Sequence, residues 1–222
     1  MALFGNLFGK KESGADALKN AAVGQEVEFG VFPQDKAGKK LSPVAWQVLD
    51  RKDGAVLLIS KYALMCMKFN QAMPTWDGKI GWEKSSLRAW LNTAFADKCF
   101  SPEEKEKILE TDVAADPNPN HDTDPGAATK DKVFLLSVLE AQKYFPDDAS
   151  RNCLLTPFAV ACGAWTAFAT NDKGSARWWL RTPGYSQGRA ACVECGGNIL
   201  TGGNEIDDNT SCCIRPAIWV RV

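Results

Sequence analysis

Apolar and polar positions alternate through Val27-Glu-Phe-Gly-Val-Phe32, which predicts a half-buried strand. Ala45-Trp-Gln-Val-Leu49 and Ala55-Val-Leu-Leu-Ile-Ser60 flank Asp50-Arg-Lys-Asp-Gly54, a polar cluster closing on Asp-Gly, and together they predict a hairpin. Asp50 and Asp53 are therefore expected as turn residues, not as catalytic acids. The period then changes. Leu87, Trp90, Leu91 and Phe95 recur every three or four positions, which predicts a helix capped by Ser85 or Ser86. Ser101-Pro-Glu-Glu104 and Ser137-Val-Leu-Glu140 are capping boxes; the first opens a charged helix to about Glu110, the second a helix through Tyr144 or Phe145. Thr156-Pro157 starts a third short helix that Gly163 ends. Trp90 and Trp165 are expected to anchor the core.

Between these elements, Asp112 to Lys130 is rich in Asp, Pro, Asn, Gly and Ala and forms the longest predicted loop. At the other end, Ala176-Arg-Trp-Trp-Leu-Arg-Thr-Pro-Gly184 and Ile214-Arg-Pro-Ala-Ile-Trp-Val220 enclose a stretch of Gly, Asn, Asp, Ser and Cys with few large apolar side chains. Two apolar motifs around such a stretch describe a rigid sheet carrying an irregular surface, the usual place for recognition. Trp178, Trp179 and Leu180 read as a core strand with Arg181 buried against a carboxylate or carbonyls. The sharper alternative makes one of the two Trp a platform for a sugar or a methylated cation. Arg215 is expected to be structural. Residues 1–22 read as a tail and 23–222 as one domain. In the tail, Leu3, Phe4, Leu7 and Phe8 share one helical face ahead of Lys10 and Lys11. Residues 1–11 are either a frayed terminus or a peripheral membrane or partner contact.

Composition narrows the function classes. The 222 residues carry a net charge of -1, so no basic field favours nucleic acid. No run reaches the roughly 20 apolar residues that span a bilayer. The first dozen residues do not have the order of a secretory signal, and the expected location is cytoplasmic. The eight Cys (66, 99, 153, 162, 192, 195, 212, 213) are then expected as reduced thiols. Cys192-Val-Glu-Cys195 has zinc-knuckle spacing, but the adjacent Cys212-Cys213 does not complete a tetrahedron readily. Asp116, Asn118, Asn120, Asp122 and Asp124 alternate like calcium ligands, yet His121 stands where Gly is needed and Ala127 where Glu is needed. A solvated loop is the expectation there. His121 is the only histidine, with no nucleophile fixed near it in sequence. No phosphate loop, dinucleotide fingerprint or zinc-protease motif occurs. No catalytic residue, metal or cofactor is assigned.

The succession Gly24-Gln-Glu-Val-Glu-Phe-Gly30, Trp46-Gln-Val-Leu49, Leu87-Arg-Ala-Trp-Leu-Asn92, Phe100-Ser-Pro-Glu-Glu104, Asp131-Lys-Val-Phe-Leu-Leu-Ser137, Trp178-Trp-Leu-Arg-Thr-Pro-Gly184 and Ile214-Arg-Pro-Ala217 resembles a large family of uncharacterised bacterial and phage domains. The resemblance covers about residues 23–222. It implies an α+β, C-type-lectin-like fold: small twisted antiparallel sheets, a few flanking helices and ends that lie close together. That fold also underlies formylglycine-generating enzymes and the variable proteins of diversity-generating retroelements. It implies ligand display without established catalytic residues.

This chain departs from the family where Cys213-Ile-Arg-Pro-Ala217 replaces the common Gly-Val-Arg-Pro-Ala, and where a mixed set replaces the Asn-rich segment before it. The mixed set suggests a surface diversified by adenine mutation, although Glu194 and Glu205 are not reached from Asn codons by adenine changes alone. The expected function is a non-catalytic binding module for a macromolecule, protein before glycan. Its expected ligand contacts are Tyr185, Ser186, Gln187, Arg189, Cys192, Glu194, Cys195, Asn198, Leu200, Thr201, Glu205, Asp207, Asp208, Thr210 and Cys212. The alternatives are a fixed adaptor addressed by its N-terminal peptide, and a copper-dependent oxidase of the formylglycine-generating type using a pair among Cys192, Cys195, Cys212 and Cys213.

Overall fold

The computed structural model describes residues 18–75, 78–165, 174–208 and 212–222. The N-terminal peptide, and with it the expected contact through residues 1–11, lies outside these. The apolar alternation at the start becomes β1 (Glu26–Pro33). It pairs antiparallel with β2 (Leu41–Lys52), which turns through Asp53 and Gly54 into β3 (Ala55–Ser60). Both turn residues have positive φ, 51° and 73°, as a two-residue hairpin turn demands. β2 is longer than its periodicity suggested, so Asp50 lies in the strand and accepts from the Tyr144 hydroxyl at 3.2 Å. The last strand, β11 (Ala217–Arg221), completes a sheet of order β1-β2-β3-β11. The strands nearest the two ends are opposite edges of this sheet, yet the described ends meet the same turn region: Arg51 donates to the carbonyls of Leu18 and Ala21, and Val222 N donates to Gly54 O at 2.9 Å.

A second sheet has the order β4-β10-β7-β8-β9. It comprises β4 (Met65–Cys66), β10 (Cys213–Ile214), β7 (Trp178–Pro183), β8 (Arg189–Val193) and β9 (Ile199–Glu205). All neighbours are antiparallel except β10 and β7. A two-stranded ribbon joins β5 (Thr111–Val113) to β6 (Thr129–Asp131). The architecture is α+β, with small, mostly antiparallel sheets and short helices.

The predicted helix from Ser85 forms as α1 (Ser86–Trp90), a π-helical turn (Leu91–Phe95) and α2 (Ala96–Cys99) without a break. Ser85 caps it, and Leu87, Leu91 and Phe95 are fully buried. Both capping boxes form, at α3 (Pro102–Lys107) and α4 (Val138–Tyr144). Glu104 also works at long range: one oxygen closes the box on Ser101, and the other accepts from Gly30 N at 3.0 Å, where β1 bulges. The domain begins earlier than Val23. Leu18 and Ala21 are buried, and the Arg51 guanidinium donates to the carbonyls of Leu18, Lys19 and Ala21.

The two tryptophans expected as anchors behave differently. Trp90 is half-buried against Phe95, with ring centroids 5.5 Å apart. Trp165 is 45% exposed and carries the Arg177 guanidinium 4.4 Å from its ring. The helix before it (α5, Pro157–Ala161) ends ahead of Gly163, whose φ is positive, so Trp165 lies beyond the helix. The core positions belong to Trp178 and Trp179. β7 is an interior strand packed on both faces, so neither ring is a platform. Trp178 meets Phe145, and Trp179 meets Phe69 while donating to Met67 O at 2.9 Å.

Two buried arginines fasten the ends of this sheet. Arg181 on β7 has 2% of its side chain exposed. It forks onto both carboxylate oxygens of Glu140 and onto Asp116 Oδ2 at 3.0 Å, and donates to the carbonyls of Ala114 and Leu135. Arg215 lies between the rings of Phe145 and Trp178, 5.0 and 4.9 Å from their centroids, and donates to Ser60 O at 3.0 Å. Among the described residues it pairs with no carboxylate, and burial lowers its pKa.

Removing the Arg181 charge leaves Glu140 and Asp116 half-desolvated without a counter-ion. Arg181→Gln is expected to cost roughly 3–5 kcal/mol in urea unfolding at neutral pH. A loss under about 1 kcal/mol would show that the pair behaves as a surface ion pair.

Candidate ligand-binding surface

The loop between β5 and β6 runs along the open end of the second sheet, held there by its own polar side chains. Asn118 is only 6% exposed. Its amide donates to Pro183 O at 2.7 Å and Thr201 O at 2.8 Å, bridging the end of β7 to the edge strand β9, and its oxygen accepts from Asn120 N at 2.9 Å. Asn120 reaches the Thr201 hydroxyl at 3.0 Å. Further on, Asp124 pairs with Lys79 at 2.6 Å and caps Gly126 N, and its carbonyl accepts from the Gln187 amide at 2.9 Å. The Lys79 hydrogen bond holds the Asp124 carboxyl below its usual range. Asp116 belongs to the Arg181 cluster and accepts the Ser137 hydroxyl at 2.6 Å.

Four of the five alternating acids and amides that suggested calcium ligands, Asp116, Asn118, Asn120 and Asp124, therefore serve as struts. Asn118 is buried in a stretch that is otherwise mostly exposed or half-buried, as a solvated loop would be. Among the described residues, no group of three or more His, Cys, Asp and Glu is placed to hold a metal ion.

These struts bring His121 to Tyr185, with ring centroids 6.2 Å apart and an edge-on angle of 65°. Tyr185 is 57% exposed. The Arg189 guanidinium lies 4.9 Å from its ring centroid, held by Gly203 O at 2.8 Å and by Glu205 at 3.4 Å. Tyr185 N donates to Gly202 O at 3.1 Å. Gly202 has no side chain to fill the space between the rings; a Cβ there would stand 3.6 Å from Tyr185 and 3.8 Å from His121 Nε2. The result is a shallow notch with a backbone floor and aromatic walls. Met73, also exposed, lies over Gly188, where a Cβ would come within 2.6 Å of its methyl group.

The sequence-expected contacts divide into several groups. Tyr185, Ser186, Gln187, Arg189, Thr201 and Glu205 gather at this end. Glu194 and Asn198 sit in the turn at the opposite end of the β8–β9 hairpin, about 13 Å away along β8. There Glu194 holds Arg177 at 2.7 Å beneath Trp165. Leu200 packs partly on the core, and Asp207 and Asp208 are half-buried in the turn after β9. Thr210 lies outside the described residues. Cys192, Cys195 and Cys212 are buried and are corrected from contact residues to interior ones. Cys192 projects inward from an interior strand. The Asn204 amide donates to its sulfur at 3.1 Å and to the Cys212 sulfur at 3.3 Å.

Asn118, Asn120 and His121 hold or border this surface, a role that the expectation of a solvated loop did not give them, and Met73 was not among the expected contacts. A concavity of about 390 Å3 lies elsewhere, against α1. Its inner polar groups are already paired: Arg88 with Asp131 at 2.7 Å, and Asn92 with the backbone of Lys132 and Val133.

The chain belongs to the family described as Domain of unknown function (DUF6273), whose model matches residues 53–222. The match opens in the β2–β3 turn, so β1 and all of β2 complete the first sheet from outside it. No curated protein and no solved structure matches the chain.

Asn118 and Tyr185 are expected to respond oppositely to truncation. Asn118→Ala strands the carbonyls of Pro183 and Thr201 and is expected to lose about 1–3 kcal/mol of unfolding free energy. Tyr185→Ala removes an exposed ring and is expected to stay within about 0.5 kcal/mol of the parent. Equal losses in urea titrations would contradict this division between strut and surface.

Proposed function

We propose that this domain is a non-catalytic, C-type-lectin-like binding module whose ligand is a macromolecule, a protein before a glycan. The observation that carries the reading is the exposed Tyr185 ring, held by Arg189 and flanked by His121 and Met73, on a backbone that Asn118 fixes beforehand. Tyr, Arg and Met are enriched at protein interfaces, and Tyr and Arg among the residues that dominate their energy. Ordering them before binding lowers the entropic cost of association. The lectin-like assignment is supported by the mixed α+β build, with small, mostly antiparallel sheets and a loop-covered end.

Of the two forms this module could take, a fixed surface has more support than a diversified one. A Cβ at Gly184 would stand 2.4 Å from Gly202 O, at Gly197 1.7 Å from Asp148 O, and at Gly203 2.2 Å from Ala190 O. With Cys192, Cys195 and Cys212 interior as well, the segment offers few positions that could vary without refolding.

The test is quantitative affinity capture from a lysate of the producing organism, with tagged parent, Tyr185→Ala and, as a control at the far end of the hairpin, Asn198→Ala. A specific set of proteins should be retained by the parent and by Asn198→Ala, and should fall roughly tenfold or more with Tyr185→Ala. Identical retention by all three would refute the assignment of the surface.

A further inference from the structure

The strands β4 and β10 are two residues long and pair antiparallel, with Cys66 opposite Cys213 and Met65 opposite Ile214. Met67 N donates to Cys212 O at 3.4 Å, one step outside the cysteine pair. Cys66 and Cys213 therefore occupy a non-hydrogen-bonded position, where Cα atoms stand about 4.5 Å apart and side chains approach closest. Disulfides span Cα separations of about 4.4–6.8 Å. A hydrogen bond with the Cys66 thiol, followed by burial, pushes the Cys213 thiol well above its ordinary range, and the Cys66 thiol also reaches the neighbouring Cys212 O at 3.2 Å.

The neighbouring cysteines are placed less favourably. Cys212 precedes Cys213 directly, so their side chains leave opposite faces of the chain. Cys192 and Cys212 are separated by the Asn204 amide that donates to both. Cys153 is turned to the carbonyls of Lys61 and Leu154.

We propose that Cys66 and Cys213 form an oxidative cross-linking site, closed by a small-molecule disulfide of the glutathione type. One cysteine, as thiolate, attacks a sulfur of the oxidant, and one small thiol leaves with a proton. The second cysteine then attacks the mixed disulfide, forming the Cys66–Cys213 bond and releasing the second small thiol. The protein loses two protons and two electrons, and the oxidant gains them as it becomes two small thiols. Both side chains are buried, so the reaction waits for β4 to lift from β10. β4 is the edge strand of its sheet, and such short, peripheral pairings open before interior strands do. Once formed, the bond ties the stem of the segment carrying Met73 to the segment leaving β9, which already meet where Asn70 N donates to Ile206 O at 2.8 Å. The site stands independently of the binding role proposed above.

The test is incubation of the full chain with excess glutathione disulfide, alkylation of remaining thiols, and non-reducing peptide mapping. The expected product is one internal disulfide joining Cys66 to Cys213, reversed by dithiothreitol and accompanied by a higher thermal midpoint. Cys212→Ser should retain the cross-link and Cys213→Ser should lose it. The mapping of the parent decides the matter even if a variant folds poorly. A parent that keeps all its thiols, stops at mixed disulfides, or links through Cys192 or Cys212 would overturn the proposal.

Discussion

A single buried guanidinium organises the loop-covered end of this fold. Arg181 leaves an interior strand and meets Glu140 in the first turn of α4, Asp116 at the start of the long loop, and the carbonyls of Ala114 and Leu135. Glu140 and Asp116 in turn hold Ser137, the residue that caps α4. Helix start, loop start and strand are therefore one charge-assisted cluster, and no member can shift without leaving a desolvated charge behind. The planar fork of Arg suits this geometry in a way that a Lys ammonium would not.

The candidate surface follows from that anchoring. The loop leaves the Arg181 cluster at Asp116 and reaches Asn118 two residues later, where the bridge between Pro183 and Thr201 begins. Glycines let the backbones come close: at Gly184 and Gly203 there is no room for a Cβ. His121 and Tyr185 consequently meet on a floor of main chain, and polarity at the site is carried by struts rather than by free charges. Such an arrangement presents exposed aromatic area on a main chain fixed from below.

What the sequence revealed depends on the range of each interaction. The capping boxes at Ser101 and Ser137, the Asp53-Gly54 turn and the helix carrying Leu87, Leu91 and Phe95 are set within a few residues, and all form as the pattern implies. Burial of Arg181 against carboxylates was also legible, because a charge inside an apolar strand needs a partner. The parallel contact of β10 with β7, the role of Asn118 and the exposure of Trp165 were not legible, since each depends on elements distant in the chain. The expected contact residues were read as one face because they are contiguous. In the structure, the hairpin sends Tyr185 and Glu205 to one end and Glu194 to the other, and turns Cys192 inward. Spacing that resembled calcium ligation in the 116–124 stretch arose instead from the need to pin a loop over a sheet.

The central claim is that the loop from Asp116 to Gly126 and the Tyr185 turn form one surface, organised before any ligand arrives. Amide hydrogen exchange of the free protein tests it most directly. The Asn120 amide, which donates to Asn118 Oδ1 at 2.9 Å, should exchange slowly when followed by NMR, and should lose that protection in Asn118→Ala. Exchange of the Asn120 amide in the parent at the rate of an unstructured chain, with β9 protected, would contradict the account.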